Sequence, residues 1–143
     1  MNNWEHRFMA LAAHIAAWSK DPYTKVGCVV VGPDNEIRST GFNGLPRGIV
    51  DDPMRMERPA KYLWTSHAEE NAVAHAARIG VGMKGCTVYV THCPCSRCAR
   101  SLIQAGVKRV VWSTGLTSMP PEEFEVALAM FEEAGVLTRE LQP

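Results

Sequence analysis

The chain has 143 residues, 46% hydrophobic and 21% charged, enough for one packed core and too few for two ordinary domains. Fifteen Lys and Arg balance fifteen Asp and Glu, so the basic excess expected of a general nucleic-acid binder is missing. No apolar run approaches the roughly 20 residues that cross a bilayer, and three of the five cysteines, Cys93, Cys95 and Cys98, are clustered, which favours a metal site in a reducing, cytoplasmic compartment over a secreted disulfide framework.

The first twenty residues read as a helix, because Trp4, Phe8, Leu11, Ile15 and Trp18 recur at helical spacing and form one apolar stripe. Met9, Ala10, Ala13 and Ala17 lie opposite, a small apolar face suited to a subunit contact. Asp21-Pro22 stops the helix. Residues 26–31 are a short β-branched run, closed by the turn Gly32-Pro33-Asp34-Asn35, with 36–42 as its hairpin partner. Residues 43–65 show little periodicity, and a loop of that length in a compact domain is more often functional than idle. Residues 66–79 are an Ala-rich helix closed by Gly80, 86–91 a strand, 95–105 a helix ended by Gly106, and 109–112 another strand. Ser118, Pro120, Pro121 and Glu122 start a last helix, with Phe124, Leu128 and Phe131 inward and Gly135 at its end. Residues 136–138 add a final strand. This order predicts one α/β domain over 1–143, with a mixed five-stranded sheet covered by helices.

Two fragments carry chemistry: His67-Ala68-Glu69 at one helix start and Pro94-Cys95-Ser96-Arg97-Cys98 at another. The two thiols, three residues apart, share a helical face. At a helix N-terminus, free N–H groups and the helix dipole favour thiolate over thiol. Two thiolates and one imidazole fill three positions of a tetrahedral zinc site and leave the fourth for water, which is the catalytic pattern. Singly, each fragment has a bland explanation: Cys-x-x-Cys is also a redox pair, and Ser66-x-x-Glu69 is also a capping box. Together, in this order, they match the H-x-E…P-C-x-x-C signature of zinc nucleobase deaminases, in which the Glu moves protons and is not a ligand. The chief rival is a closed structural zinc knuckle with Cys93 as fourth ligand. Cys93 precedes Pro94, outside the predicted helix, and a knuckle leaves Glu69 and the long loop without a role.

Over nearly its whole length the chain resembles the cytidine deaminase superfamily, and within it the deoxycytidylate (dCMP) deaminases. The zinc signature is superfamily-wide, whereas Asp21-Pro22-Tyr23-Thr24-Lys25-Val26-Gly27 and Gly41-Phe42-Asn43-Gly44 narrow the resemblance. It implies a three-layer α/β/α fold, with one zinc ion (Zn2+) held by His67, Cys95 and Cys98. It also implies that Glu69 carries protons from water to N3 of cytosine and then to the departing amine, so that dCMP gives ammonia and dUMP, the precursor of dTMP. Asn43 falls at the family's deoxyribose-binding asparagine, although Asn-Gly is equally a turn former. Lys25 is either a 5′-phosphate contact or a solvated strand-end lysine, and Trp112 either stacks on the base or packs in the core.

Gly41, Phe42, Asn43, Gly44 and Arg47 fall where the family binds an allosteric triphosphate, accompanied by Mg2+, with dCTP activating and dTTP inhibiting. Phe42 stands where the family often has Tyr, which keeps the ring and loses the hydroxyl. The resemblance further implies a homohexamer. Free-cytidine and tRNA adenosine deaminases of the same superfamily are the enzyme alternatives, and a non-catalytic zinc-stapled module is the alternative of another class. Zero net charge weighs against the RNA enzyme. His6, His14, His75 and His92 are scattered and predict no second zinc, and Cys28 and Cys86 read as small core residues.

Overall fold

The computed structural model describes residues 3–113 and 115–142. Its centre is a sheet of short strands: β1 (Gly27–Val31), β2 (Ile37–Phe42), β3 (Thr87–Val90), β4 (Arg109–Trp112) and β5 (Leu137–Glu140). β1 pairs antiparallel with β2 on one side and with β3 on the other, while β3, β4 and β5 run parallel. The order is β2-β1-β3-β4-β5, the mixed five-stranded sheet that the sequence predicts. The last strand covers 137–140 rather than 136–138.

Alternation along the strands sorts side chains onto two faces. Val29, Val31, Tyr89 and Val111 join Phe8, Met9, Ala12 and Ile15 of helix α1 (Asn3–Ala16) on one face. Cys28, Val30, Val88, Val90, Val110 and Trp112 point the other way. There they meet Ala68, Ala72 and Ala76 of α3 (Ala68–Ile79), Ala99 and Leu102 of α4 (Ser96–Gln104), and Phe124, Ala127 and Phe131 of α5 (Pro121–Glu133). Helices thus cover both faces of the sheet in three layers, and Cys28 and Cys86 are fully buried in its core.

Two helices present faces different from those predicted. In α1, Phe8 and Ile15 are buried, but Trp4 is 45% exposed, Trp18 beyond the helix end is 54% exposed, and Met9 lies in the core. The cause is a close approach at Gly27, where an added Cβ would lie 1.9 Å from Ala12 O and 2.6 Å from Ala16 N. The helix therefore turns its alanines to the sheet and swings the bulky tryptophans to the rim. In α5, Leu128 is exposed and Ala127 takes the inward place between Phe124 and Phe131.

The segment 43–65 also has more structure than its composition predicts. It holds a 3-10 turn, Pro53–Met56, capped by Asp52 Oδ1 accepting from Met54 N at 2.9 Å, and a short helix α2 (Lys61–Trp64). Its ends are closed by Gly44 and Ser66, which exchange backbone hydrogen bonds of 3.1 and 2.9 Å. Among the described residues, no helix is long and apolar enough to cross a membrane.

Candidate active site

Each reactive side chain sits at a helix start. His67 is the N-cap of α3, and its backbone N–H donates to Glu70 Oε1 at 2.9 Å. The capping pair is therefore His67 and Glu70, one residue later than Ser66 and Glu69, which leaves the Glu69 carboxyl free of that task. Cys95 is the N-cap of α4, and Cys98 follows in its first turn. Glu123 of α5 accepts from Ser96 N at 3.1 Å and Ser96 Oγ at 2.7 Å, so another element supplies the cap that a cysteine cannot. Arg97 Nε reaches Glu70 Oε2 at 3.0 Å and ties the two helix starts together.

These contacts gather His67, Cys95 and Cys98 into a group whose donor atoms all lie within 4.8 Å of one another. His67 Nδ1 is 3.4 Å from Cys95 Sγ and 3.3 Å from Cys98 Sγ. An imidazole nitrogen and two thiols converging with one side open form the donor set of a catalytic zinc site, so the residues fit the ion that the sequence implies. Cys93 does not join them. Its Sγ is directed to Pro94 O at 3.8 Å and lies outside the group formed by the other three.

Within this group each side chain alters the protonation of its neighbours. A hydrogen bond from Cys98 holds the Cys95 thiol down to about 4 against the cost of burial, with His67 helping. The same bond, together with burial, raises Cys98. His67 is raised, chiefly by its bond to Cys95. Glu69, only 4% exposed, is pushed up to about 7 by burial, so it exchanges a proton near neutral pH.

His67, Glu69 and Cys95 line a cavity of about 500 Å³, together with Val26, Asn43, His92, Arg97 and Arg100 of the Cys95 helix and, from the 43–65 segment, Arg58 and Lys61. Asn43 is held by its own amide: Nδ2 donates to Thr24 O at 2.8 Å and Oδ1 accepts from Val26 N at 2.9 Å. Behind it, Asp21 accepts from Lys61 Nζ at 2.9 Å and from Tyr23 N and Thr24 N at 2.8 and 3.1 Å. Burial opposes the Asp21 charge, but Lys61 and the two backbone groups outweigh it and hold the carboxyl below its ordinary range.

Lys25 is exposed and Trp112 is packed in the core, and neither lines this cavity. Its cations come from elsewhere. Lys61 pairs with Asp21 and Arg97 with Glu70, while Arg58 donates to Ser118 Oγ at 3.2 Å and Arg100, whose charge acts on Glu123, makes no ion pair among the described residues. Arg97 and Arg100 had a local signal, since they follow Cys95 on the helix that opens at the site. Arg58 and Lys61 had none.

The residues assigned to a triphosphate are dispersed in role. Gly41 is required by packing, because a Cβ there would lie 2.3 Å from Ala68 O and 2.6 Å from Ala72 N. Phe42 is half-exposed, with its ring edge-on to Trp18 at 6.2 Å. Gly44 pairs with Ser66, and Arg47 Nη2 lies 3.1 Å from His75 Nδ1. Of the five, Asn43 alone lines the cavity.

A family model, the cytidine and deoxycytidylate deaminase zinc-binding region, matches residues 2–114. The deoxycytidylate deaminase of Homo sapiens is 37% identical over 146 residues, covering 98% of this chain and 80% of the relative. A protein of Aliivibrio fischeri named as an uncharacterized deaminase in the luxG 3′ region is 42% identical over 139 residues, covering 95% and 92%. The structure of the dCMP deaminase from the cyanophage S-TIM5 in apo form superposes with a TM-score of 0.80 at 25% identity, over 99% of both chains. With the family match spanning His67, Glu69, Cys95 and Cys98, the chain belongs to the cytidine and deoxycytidylate deaminase family.

Proposed function

We propose that this chain catalyses the hydrolytic deamination of dCMP to dUMP and ammonia, with zinc held by His67 Nδ1, Cys95 Sγ and Cys98 Sγ. The observation that carries this reading is a buried carboxyl, Glu69, on the wall of the same cavity as an imidazole–dithiol group with an open side. The chemistry zinc supplies when bound is a water of lowered pKa, nucleophilic near neutral pH. With the ion bound, Glu69, poised near neutrality, would take one proton from that water and place it on N3, making C4 electrophilic as the water oxygen bonds to it. Glu69 would then carry that oxygen's remaining proton to the amine, so that the C4–N bond breaks, ammonia leaves and the oxygen stays on C4 as the new carbonyl. Asn43, fixed by Thr24 and Val26, is the proposed deoxyribose contact. Arg58 and Arg100, cavity cations that make no ion pair among the described residues, take the 5′-phosphate in place of Lys25.

The proposal extends to regulation, with dCTP and its Mg2+ activating and dTTP inhibiting at a subunit contact of a homohexamer. The exposed Trp18–Phe42 edge and the exposed Arg47 support this part, because they offer a nucleotide a ring and a cation at the surface. Ammonia release from dCMP, cytidine, dCTP and a cytosine-containing RNA tests the whole reading. The expected result is turnover of dCMP above the others, with dCTP lowering the half-saturating dCMP concentration and dTTP opposing it. Turnover of RNA or cytidine instead would move the chain to another branch of the superfamily. No turnover in zinc-loaded protein would make it a zinc-stapled module.

A further inference from the structure

After Val90 ends β3, Thr91-His92-Cys93 carry the chain towards α4. Thr91 is buried, and its Oγ1 accepts from Gly27 N at 3.2 Å and lies 2.8 Å from His92 Nδ1. The Gly27 N–H can only donate, so it uses one lone pair of the hydroxyl. Among the described residues, the hydroxyl proton then has one acceptor in contact, His92 Nδ1. If Nδ1 carried a proton instead, Oγ1 would accept twice and its own buried proton would be stranded. The hydrogen bonds therefore set the tautomer: Nδ1 accepts, and Nε2 carries the proton. Burial keeps the ring neutral by lowering its pKa.

His92 is half-buried and lines the cavity with Glu69 and Cys95, and no partner for Nε2 occurs among the described residues. Three residues of chain separate His92 from Cys95, so its backbone lies within about 10 Å of that residue. We infer that His92 is a specificity-determining residue whose Nε2–H donates to the pyrimidine 2-carbonyl of the substrate. That carbonyl neighbours N3, the atom Glu69 protonates, and a neutral donor suits a neutral acceptor without adding charge to the site. The inference rests on the deamination reading for the identity of its ligand, and the test separates the two.

The test is binding of dUMP, which keeps the 2-carbonyl and has no amine left to lose, and of 2-thio-dUMP, to zinc-loaded protein by calorimetry. Loss of one neutral hydrogen bond predicts roughly 3–10-fold weaker dUMP binding in His92→Leu, with zinc content unchanged. His92→Gln, which offers an amide N–H, should recover most of it. The wild type should bind 2-thio-dUMP less tightly than dUMP, since sulfur is a weak acceptor, and His92→Leu should lose that preference. His92→Phe is a second donor-free variant should Leu fail to fold. Equal discrimination in wild type and the donor-free variants, or no recovery in His92→Gln, overturns the assignment. If dUMP binding follows the expected pattern while wild type releases no ammonia from dCMP, the deamination reading fails and the His92 assignment stands.

Discussion

Glu69 serves two ends that conflict. Burial raises its pKa from 4.5 to about 7, which suits proton exchange at neutral pH but disfavours the charged form in the folded chain. A carboxyl whose pKa is higher folded than unfolded binds its proton more tightly in the native state. Its contribution therefore favours folding at acid pH and is lost as pH rises from about 4.5 to about 7. Glu69→Gln keeps the shape and removes the titration. The variant should retain zinc and lose about 10²–10⁴-fold in ammonia release, because an amide cannot accept the proton. Without zinc it should melt higher than zinc-free wild type at pH 8, with the gap closing towards pH 4. Near-normal turnover in the zinc-loaded variant would remove Glu69 from the chemistry, and identical melting at pH 8 would remove the burial argument.

At the scale of elements, what positions the cavity wall is a contact between segments far apart in sequence. Lys61 on α2 pairs with Asp21, forty residues earlier, and the two side chains are 10% and 3% exposed. Lys61→Met leaves a buried carboxylate without its cation, which costs about 3–5 kcal/mol at neutral pH. Asp21 is depressed below 3.8 in the folded chain, so its contribution is complete above that pH and is lost as pH falls through the folded pKa. The deficit of Lys61→Met should therefore shrink in urea melts at pH 3, and Asp21→Asn in the same chain should restore most of the stability at pH 7. A deficit independent of pH would assign the loss to packing of the lysine stem. This pair also marks the limit of sequence reading. Alternating valines, the glycine helix ends and the short His67-x-Glu69 and Cys95-x-x-Cys98 motifs are local patterns, and each was legible. Asp21–Lys61 and the Glu123 cap on Ser96, 27 residues apart, exist only once the helices are packed. The tryptophans of the first helix mislead for a related reason: helical spacing defines a stripe, but the close approach at Gly27 decides which side meets the sheet.

Across the whole molecule, the candidate zinc site is a junction between helices at the edge of one of the two packed cores that flank the sheet, a core that holds its neighbours Ala68, Cys93 and Ala99. His67 begins α3, and Cys95 and Cys98 lie at the start of α4. The ion pair between these helix starts, Arg97 to Glu70, joins side chains that are 47% and 25% exposed and is worth about 1 kcal/mol at most. An ion bound by the folded chain and not by the unfolded one stabilises by mass action, about 4 kcal/mol at free zinc a thousandfold above its dissociation constant. For a domain of this size each kcal/mol moves the melting temperature by about 2–4 °C, so chelation should lower it by roughly 10 °C. The far-UV circular dichroism should hardly change, because neither core depends on the metal. Cys98→Ala should lose zinc with activity, since two protein ligands rarely hold it at neutral pH, and should melt no lower when the chelator is added. Stoichiometric zinc in Cys98→Ala would bring Cys93 back as a ligand despite its place outside the group. Outright unfolding on chelation would give the metal a structural task that the two cores leave no need for.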